Sequence, residues 1–255
     1  MDLGLKDKVV IITGGAKGIG SGISQVFAKE GARLCVNYRR DEQACLAFIR
    51  SLETEFGAQV IGVQGDMGFE EEAQRVFDKT IEAFGQVDVL VNNAGYCPTV
   101  DITEMDLATW EEVQRSNLTS MFLLSRLMVR HLRARGAGGA IVNIASKAGV
   151  SSTTKGRTAY NSSKAGVIGF TKSLARDVTE DGIRVNAVLP GFVRSSRTAL
   201  RLQEDPHAMD SRLERVPIHR LGEPEELGNM VAMLASEKTV LAVGSVVDMT
   251  GGLLL

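Results

Sequence analysis

Apolar residues fall along this chain in short unbroken runs, separated by longer stretches of helical period. Val9-Val10-Ile11-Ile12 ends in a glycine cluster, and comparable runs recur at 33–38, 60–65, 87–92, 140–145, 184–189 and 244–248. A run that is apolar at nearly every position predicts a strand buried on both faces, the habit of parallel sheets. Between two of these runs Ala73, Val76, Phe77, Ile81 and Phe84 share one helical stripe within 70–84, and Cys45, Phe48, Ile49, Leu52 and Phe56 repeat the pattern after the second run. Pro224-Glu225-Glu226 opens a further helix, with proline at its first position and acids in its first turn. The alternation is βαβ and predicts an α/β fold: a doubly wound, seven-stranded parallel sheet flanked by helices.

No repeat, low-complexity tract or proline-rich linker divides the 255 residues, so they read as a single domain, 1–255. The exception to compactness is 195–220, a charged segment after the sixth strand and long enough to be a lid with a short helix of its own. With 44% hydrophobic and 24% charged residues the chain can bury a sizeable core, and a net charge of −2 gives no general reason to expect nucleic acid or an anionic membrane as partner. The first residues hold no apolar signal core, and no apolar run approaches the roughly 18 residues of a spanning helix, so a cytoplasmic protein is expected. Cys35, Cys45 and Cys97 are odd in number without C-x-x-C spacing, and only three histidines are present, which argues against a disulfide framework and a metal centre.

Candidate chemistry begins directly after the first strand. Thr13-Gly14-Gly15-Ala16-Lys17-Gly18-Ile19-Gly20 runs from strand through glycine turn into a helix starting near Gly18. Such a turn lets the backbone approach a pyrophosphate, and the helix N-terminus offers free N–H groups. The second strand ends Val36-Asn37-Tyr38-Arg39-Arg40, with no acid to hold a ribose 2′-hydroxyl. Arg39 has the planar fork suited to a 2′-phosphate and Lys17 adds a second cation, a pair that points to NADP(H); solvated surface charge is the other reading. Further on, Tyr160 and Lys164 stand four apart, on one face of a helix. Bringing a phenol from its usual pKa of about 10 to neutrality takes about 4 kcal/mol of preference for phenolate, which a nearby ammonium helps to supply. Ser146 ends the apolar run Ile141-Val142-Asn143-Ile144-Ala145, at the carboxyl-end crevice where open α/β sheets bind ligands; Ser151 and Ser152 fall within the loop beyond.

Together, Thr13-Gly14-x-x-x-Gly18-x-Gly20, Asn92-Asn93-Ala94-Gly95, Asn117, Ser146, Tyr160-x-x-x-Lys164 and Pro190-Gly191 resemble the short-chain dehydrogenase/reductase family over essentially the whole chain. The resemblance implies a single-domain Rossmann fold, with Tyr160 as general acid/base and Ser146 hydrogen-bonding the substrate oxygen. It makes Lys164 the residue that holds the nicotinamide ribose and lowers the tyrosine pKa, and Asn117 the residue that opens a helix locally and links Lys164 to solvent through a water. It implies cofactor contacts along the glycine turn (Gly14, Ala16, Lys17, Gly18, Ile19, Gly20) and at Arg39. Asp66 and Met67 fall at the adenine, Asn93, Ala94 and Gly95 along its ribose, and Pro190, Gly191, Val193 and Ser195 at the nicotinamide carboxamide, besides Tyr160 and Lys164 themselves.

Within the family, Val36-Asn37-Tyr38-Arg39, the segment from Lys164 to Lys172 and Arg220-Leu221-Gly222-Glu223-Pro224 are most similar to the 3-oxoacyl-carrier-protein reductase group. Asp181, where carrier-docking members tend to have a base, would repel an acidic carrier. The resemblance also implies a homotetramer built through helices around 109–135 and 159–179. The expected activity is NADPH-dependent reduction of a small-molecule ketone to a secondary alcohol. The alternatives are oxidative work on an alcohol, sugar or steroid, and a regulatory NADP(H)-binding protein without turnover. Lys147, Lys155, Arg157, Arg194, Arg197 and Arg201 fall in segments expected to frame the substrate mouth. They suit a carboxylated or phosphorylated ketone, or else are solvated charges balanced by Glu204, Asp205 and Asp210; Cys97, after the Asn-Asn-Ala-Gly turn, is placed to approach the pocket, with an ordinary packed thiol as the preferred reading.

Overall fold

The structure, a computed structural model, describes every residue except Thr153, Pro206 and Ala208, and every side chain except, in addition, those of Ser196, Arg197, Leu200 and Arg201. Seven strands, β1 (Val9–Ile12), β2 (Arg33–Tyr38), β3 (Val60–Gln64), β4 (Val89–Asn92), β5 (Gly139–Ile144), β6 (Ile183–Pro190) and β7 (Val246–Met249), form one sheet in the order β3-β2-β1-β4-β5-β6-β7. Every neighbouring pair is parallel. The chain winds outward from β1 to β3, returns to lay β4 beside β1, and winds outward the other way. That reversal leaves a crevice at the carboxyl ends of β1 and β4.

Burial on both faces explains the unbroken apolar runs. Val10 and Ile12 of β1, with Leu34 and Val36 of β2, enter the core shared with α1 (Ile19–Lys29), α2 (Glu42–Phe56) and α9 (Pro224–Ala235). Ile11 and Cys35 point to the opposite core, under α3 (Glu70–Phe84), α5 (Ser120–Arg135) and α6 (Thr158–Val178). The stripe expected over 70–84 is α3, and Ala73, Val76 and Phe77 are its buried residues. At the start of the fourth strand the run's first residue stays outside the ladder, its Val87 N–H donating to His131 Nε2, while the Asp88 N–H already donates to the Val9 carbonyl and the strand proper opens at Val89.

Local chemistry sets the helix ends. Asp41 caps α2 by accepting from the Ala44 N–H at 3.2 Å, and α9 opens with proline inside a capping box made by Glu223 and Glu226. A π turn, Arg115–Thr119, interrupts the rod formed by α4 (Leu107–Gln114) and α5. The segment 195–220 carries two short helices, α7 (Ser196–Glu204) and α8 (Asp210–Leu213), where one is expected from the sequence. Among the described residues no helix is long and apolar enough to cross a membrane, and no group of His, Cys, Asp and Glu is placed to hold a metal.

Candidate active site

Three elements meet at the carboxyl ends of β1, β4 and β5. The glycine turn leaves β1 and enters α1, whose N-cap Gly18 has φ +54, with no side-chain cap and no acid in the first turn. A side chain at Gly18 would meet nothing within 4 Å, so the helix N-terminus opens onto free space, whereas a Cβ at Gly20 would come within 2.1 Å of the Gly14 carbonyl oxygen. The turn is fastened from β4. The Thr13 hydroxyl accepts from the Asn93 and Ala94 N–H groups, each at 2.9 Å, and Asn93 Nδ2 donates to the Thr13 and Gly14 carbonyls at 2.8 and 3.2 Å. An uncapped, open helix N-terminus after a rigid glycine turn fits the pyrophosphate of a dinucleotide.

Ser146 follows β5 in extended conformation, and its Oγ accepts from the Ala148 N–H at 3.1 Å. Its hydroxyl also hydrogen-bonds the Tyr160 phenol, which α6 presents from the other side. Lys164, one turn further along α6, is buried, donates from Nζ to the Ile144 carbonyl at 2.6 Å and lies 5.9 Å from the centre of the Tyr160 ring. Ser146, Tyr160 and Lys164 line a cleft of about 200 Å³ together with Ile19, Asn93, Gly95, Cys97, Pro190 and Gly191.

Burial dominates the electrostatics of the cleft. The Tyr160 phenol is pushed up to about 12, chiefly by burial and then by Cys97, against opposing pulls from the Ser146 hydrogen bond and the Arg157 guanidinium. Burial also brings the Lys164 ammonium down to about 8.

Asn117 sits within the π turn, beneath the cleft rather than on its wall. Its Nδ2 donates to the Tyr96 carbonyl and to Ser163 Oγ, each at 2.9 Å, and its Oδ1 accepts from the Tyr96 N–H at 2.7 Å. The side chain is committed to holding the segment after β4 against α6. A π turn pairs each N–H with the carbonyl five back, so the Asn117 backbone is released from the regular ladder.

The remaining sequence-expected positions are spread more widely. Lys17 is exposed, Ala16 is half-buried against the core, and Met67 is buried. Arg39 stands at the edge of the sheet, 3.3 Å from both Asp66 and Glu112. Val193 pairs with Gly222 through an isolated bridge, and Ser195 Oγ accepts from the Thr198 N–H at 3.2 Å, so its hydroxyl helps start α7. Of the expected basic frame, Arg194 is paired with Glu223 at 2.9 Å, Lys155 is exposed, and the Arg197 and Arg201 side chains lie outside the described ones. Asp181 is paired with Arg133 at 2.8 Å, which offsets the carrier-repelling charge expected there.

Of the two readings of Cys97, the preferred packed thiol gives way to the other: it lines the cleft, with the Arg157 guanidinium donating to its sulfur and, at 3.4 Å, to its carbonyl. Cys35 and Cys45 are buried, and burial raises their thiols to about 12 and about 11. Ellman's reagent at pH 8 is therefore expected to titrate one thiol in the native protein and three after unfolding, with the native equivalent mapping to Cys97. Labelling of Cys35 or Cys45 in the folded chain would contradict the packing described here.

A family model described as enoyl-(acyl carrier protein) reductase matches residues 14–254. The chain is 34% identical to 3-oxoacyl-[acyl-carrier-protein] reductase of Aquifex aeolicus over 99% of its own length and 100% of that protein's. It is also 34% identical to nodulation protein G of Azospirillum brasilense, over 98% and 99% of the two chains. Among solved structures, L-sorbose reductase of Gluconobacter frateurii, crystallised with NADPH and L-sorbose, superposes with a TM-score of 0.93 at 35% identity, covering 100% of this chain and 99% of the other.

Proposed function

The chain belongs to the short-chain dehydrogenase/reductase family of oxidoreductases, and on that premise we propose that it is an NADPH-dependent reductase that converts a ketone to a secondary alcohol. The observation that carries the reading is the convergence of Ser146, Tyr160 and Lys164 on one cleft that also includes Ile19, from the open N-terminus of α1. The NADPH found with L-sorbose reductase supports the choice of cofactor.

When bound, NADPH supplies the hydride for the carbonyl carbon. The chain's own work is at the oxygen. Ser146 and Tyr160 hydrogen-bond it, and these bonds strengthen as alkoxide charge develops, so they stabilise the transition state more than the ketone. Tyr160, protonated at neutral pH, then donates its proton. Lys164 would hold the cofactor's ribose, and its buried ammonium, one helical turn from Tyr160, is the chain's own source of a replacement proton for the phenol. Asn117 is a positioning residue in this scheme: its amide fixes the segment after β4 against α6, which carries Tyr160 and Lys164.

A panel of ketones followed by NADPH absorbance tests the proposal. Consumption of cofactor is expected; binding of NADPH without consumption across the panel would make the protein a sensor of the cofactor and overturn the enzyme reading.

Cofactor choice rests on Arg39, which pairs with the Asp66 and Glu112 carboxylates in the chain by itself and which a 2′-phosphate would draw away from them. Arg39→Ala is expected to weaken NADPH binding roughly 10- to 100-fold, the worth of a charge-assisted hydrogen bond, with NADH little affected. Fluorescence titration of both cofactors reads this directly, and equal weakening of the two would remove Arg39 from the role. A homotetramer through α5 and α6 is part of the same reading. It is supported by Phe122, Val129, Phe170 and Leu174, which line an outward-facing groove between these helices, and light scattering of the purified protein measures it.

A further inference from the structure

Tyr160 lies in the first turn of α6, a helix whose N-cap residue, Arg157, makes no side-chain cap and whose first turn holds no acid. Helix ends of that kind fray, because their first N–H groups have no intrahelical partner. A group that must meet a substrate oxygen to within about 0.5 Å needs firmer support than such an end provides. The support comes from the rod of α4, π turn and α5. Gln114, the last residue of α4, donates from Nε2 to the Ala159 carbonyl at 3.2 Å. Further along the rod, Asn117 acts on the next carbonyl of α6, that of Tyr160, through an intermediary. Asn117 Nδ2 donates to Ser163 Oγ at 2.9 Å, and the Ser163 hydroxyl donates to the Tyr160 carbonyl at 2.7 Å.

The direction of this relay is fixed. The Tyr96 N–H on Asn117 Oδ1 orients the amide, so Nδ2 must face its two acceptors, the Tyr96 carbonyl and Ser163. Ser163 Oγ therefore accepts from Asn117 and directs its single proton to Tyr160. By helix geometry the Tyr160 carbonyl also accepts the Lys164 N–H, so the hydroxyl fastens the peptide group that the phenol and the ammonium share. Asn117 and Ser163 are both fully buried, where no water competes for these bonds. A Cβ at Gly95, on the cleft wall, would lie 3.1 Å from Asn117 Oδ1 and 3.8 Å from Lys164 Nζ, which puts the relay directly behind the cleft. Packing alone does not call for a serine here, since alanine is the better helix former and brings no hydroxyl to compete with the ladder.

We propose that Ser163 is a positioning residue of the reaction: its hydroxyl ties the fixed Asn117 amide to the first turn of α6 and so sets where the Tyr160 phenol and the Lys164 ammonium stand against Ser146. This deepens the reading of the protein as a ketone reductase and rests on it. The residue acts through Tyr160, from a place buried away from the cleft.

Ser163→Ala keeps the helix and cuts the relay. With a ketone that the wild type reduces, kcat is expected to fall roughly tenfold, the remaining hold coming from Gln114, while NADPH affinity read by fluorescence stays within about twofold. The solvent isotope effect on kcat should rise, because a misplaced phenol makes proton transfer the slower step. In an Asn117→Ala background the same substitution should cost no more than about twofold further, since the relay is already broken there. An unchanged kcat, a kcat that falls in step with NADPH affinity, an isotope effect that stays at the wild-type value, or losses that multiply in the double variant would each overturn the role. If Asn117→Ala fails to fold, kcat and the isotope effect of Ser163→Ala decide. Should the wild type reduce no ketone at all, the reductase reading fails by itself. A crystal structure of Ser163→Ala then decides the positioning claim, which stands only if the Tyr160 hydroxyl has left Ser146 or Lys164 Nζ has left the Ile144 carbonyl.

Discussion

Tyr160→Phe is expected to lower kcat by about 10³-fold or more while leaving NADPH affinity within about twofold of the wild type. The substitution removes one oxygen and keeps the ring that packs beside Lys164, so the cleft wall survives while the proton donor is lost. The sign of the pH dependence follows from the phenol, held at about 12 in the chain by itself. A reductive step uses the protonated form, so its rate holds through neutrality and falls on the alkaline side as the proton is lost. That alkaline limb should vanish from the residual activity of Tyr160→Phe. In Arg157→Ala it should move to higher pH, because Arg157 is one of the groups that pulls the phenol down. Stopped-flow rates across pH, with cofactor affinity measured separately by fluorescence, provide the check. Parallel loss of affinity and rate would mean that Tyr160 supports the cofactor site and is not the acid.

What could be read in advance depended on whether the deciding contacts were local. The strands were legible because burial on both faces leaves a mark at every position, and α3 because its stripe and its boundaries belong to the same 15 residues. Tyr160 and Lys164 share a helix face by spacing alone. The acceptor that holds Lys164, however, is a backbone carbonyl at Ile144, which has no side-chain signature. The π turn was invisible to hydrophobic pattern, since α4 and α5 continue on either side of it; only the resemblance singled out Asn117. Arg39 announced a cation but not its acids, of which Glu112 stands 73 residues away. The same holds at the lid. Arg212 carries no local sign that it shares the Phe192 ring with Lys147, because that meeting is made by the tertiary fold.

Gly22→Ala is expected to destabilise the protein by about 3 kcal/mol or more, although alanine is the better helix former by about 1 kcal/mol. Gly22 lies within α1 where it crosses α9, and a Cβ there would sit 2.2 Å from the Pro224 carbonyl carbon and 2.5 Å from both the Pro224 Cβ and its carbonyl oxygen. Across the crossing, a Cβ at Gly228 would lie 2.6 Å from the Gly22 carbonyl oxygen, so the two helices meet backbone to backbone. Neither partner can yield cheaply. Pro224 is fixed at the first position of α9 within a capping box, and α1 is fixed by the glycine turn that enters it. Separating the helices would open the core that holds Ile23, Val26, Leu227 and Val231. Gly169→Ala supplies the opposite case on the same chemistry: the position is exposed in α6 and an added Cβ meets nothing within 4 Å, so only the propensity remains and a gain of about 0.5–1 kcal/mol is expected. Thermal unfolding of the two variants beside the wild type should therefore move in opposite directions. If both rise, the close approach of α1 and α9 is wrong. If both fall, the Gly169 face of α6 is covered in solution, as assembly through that helix would have it.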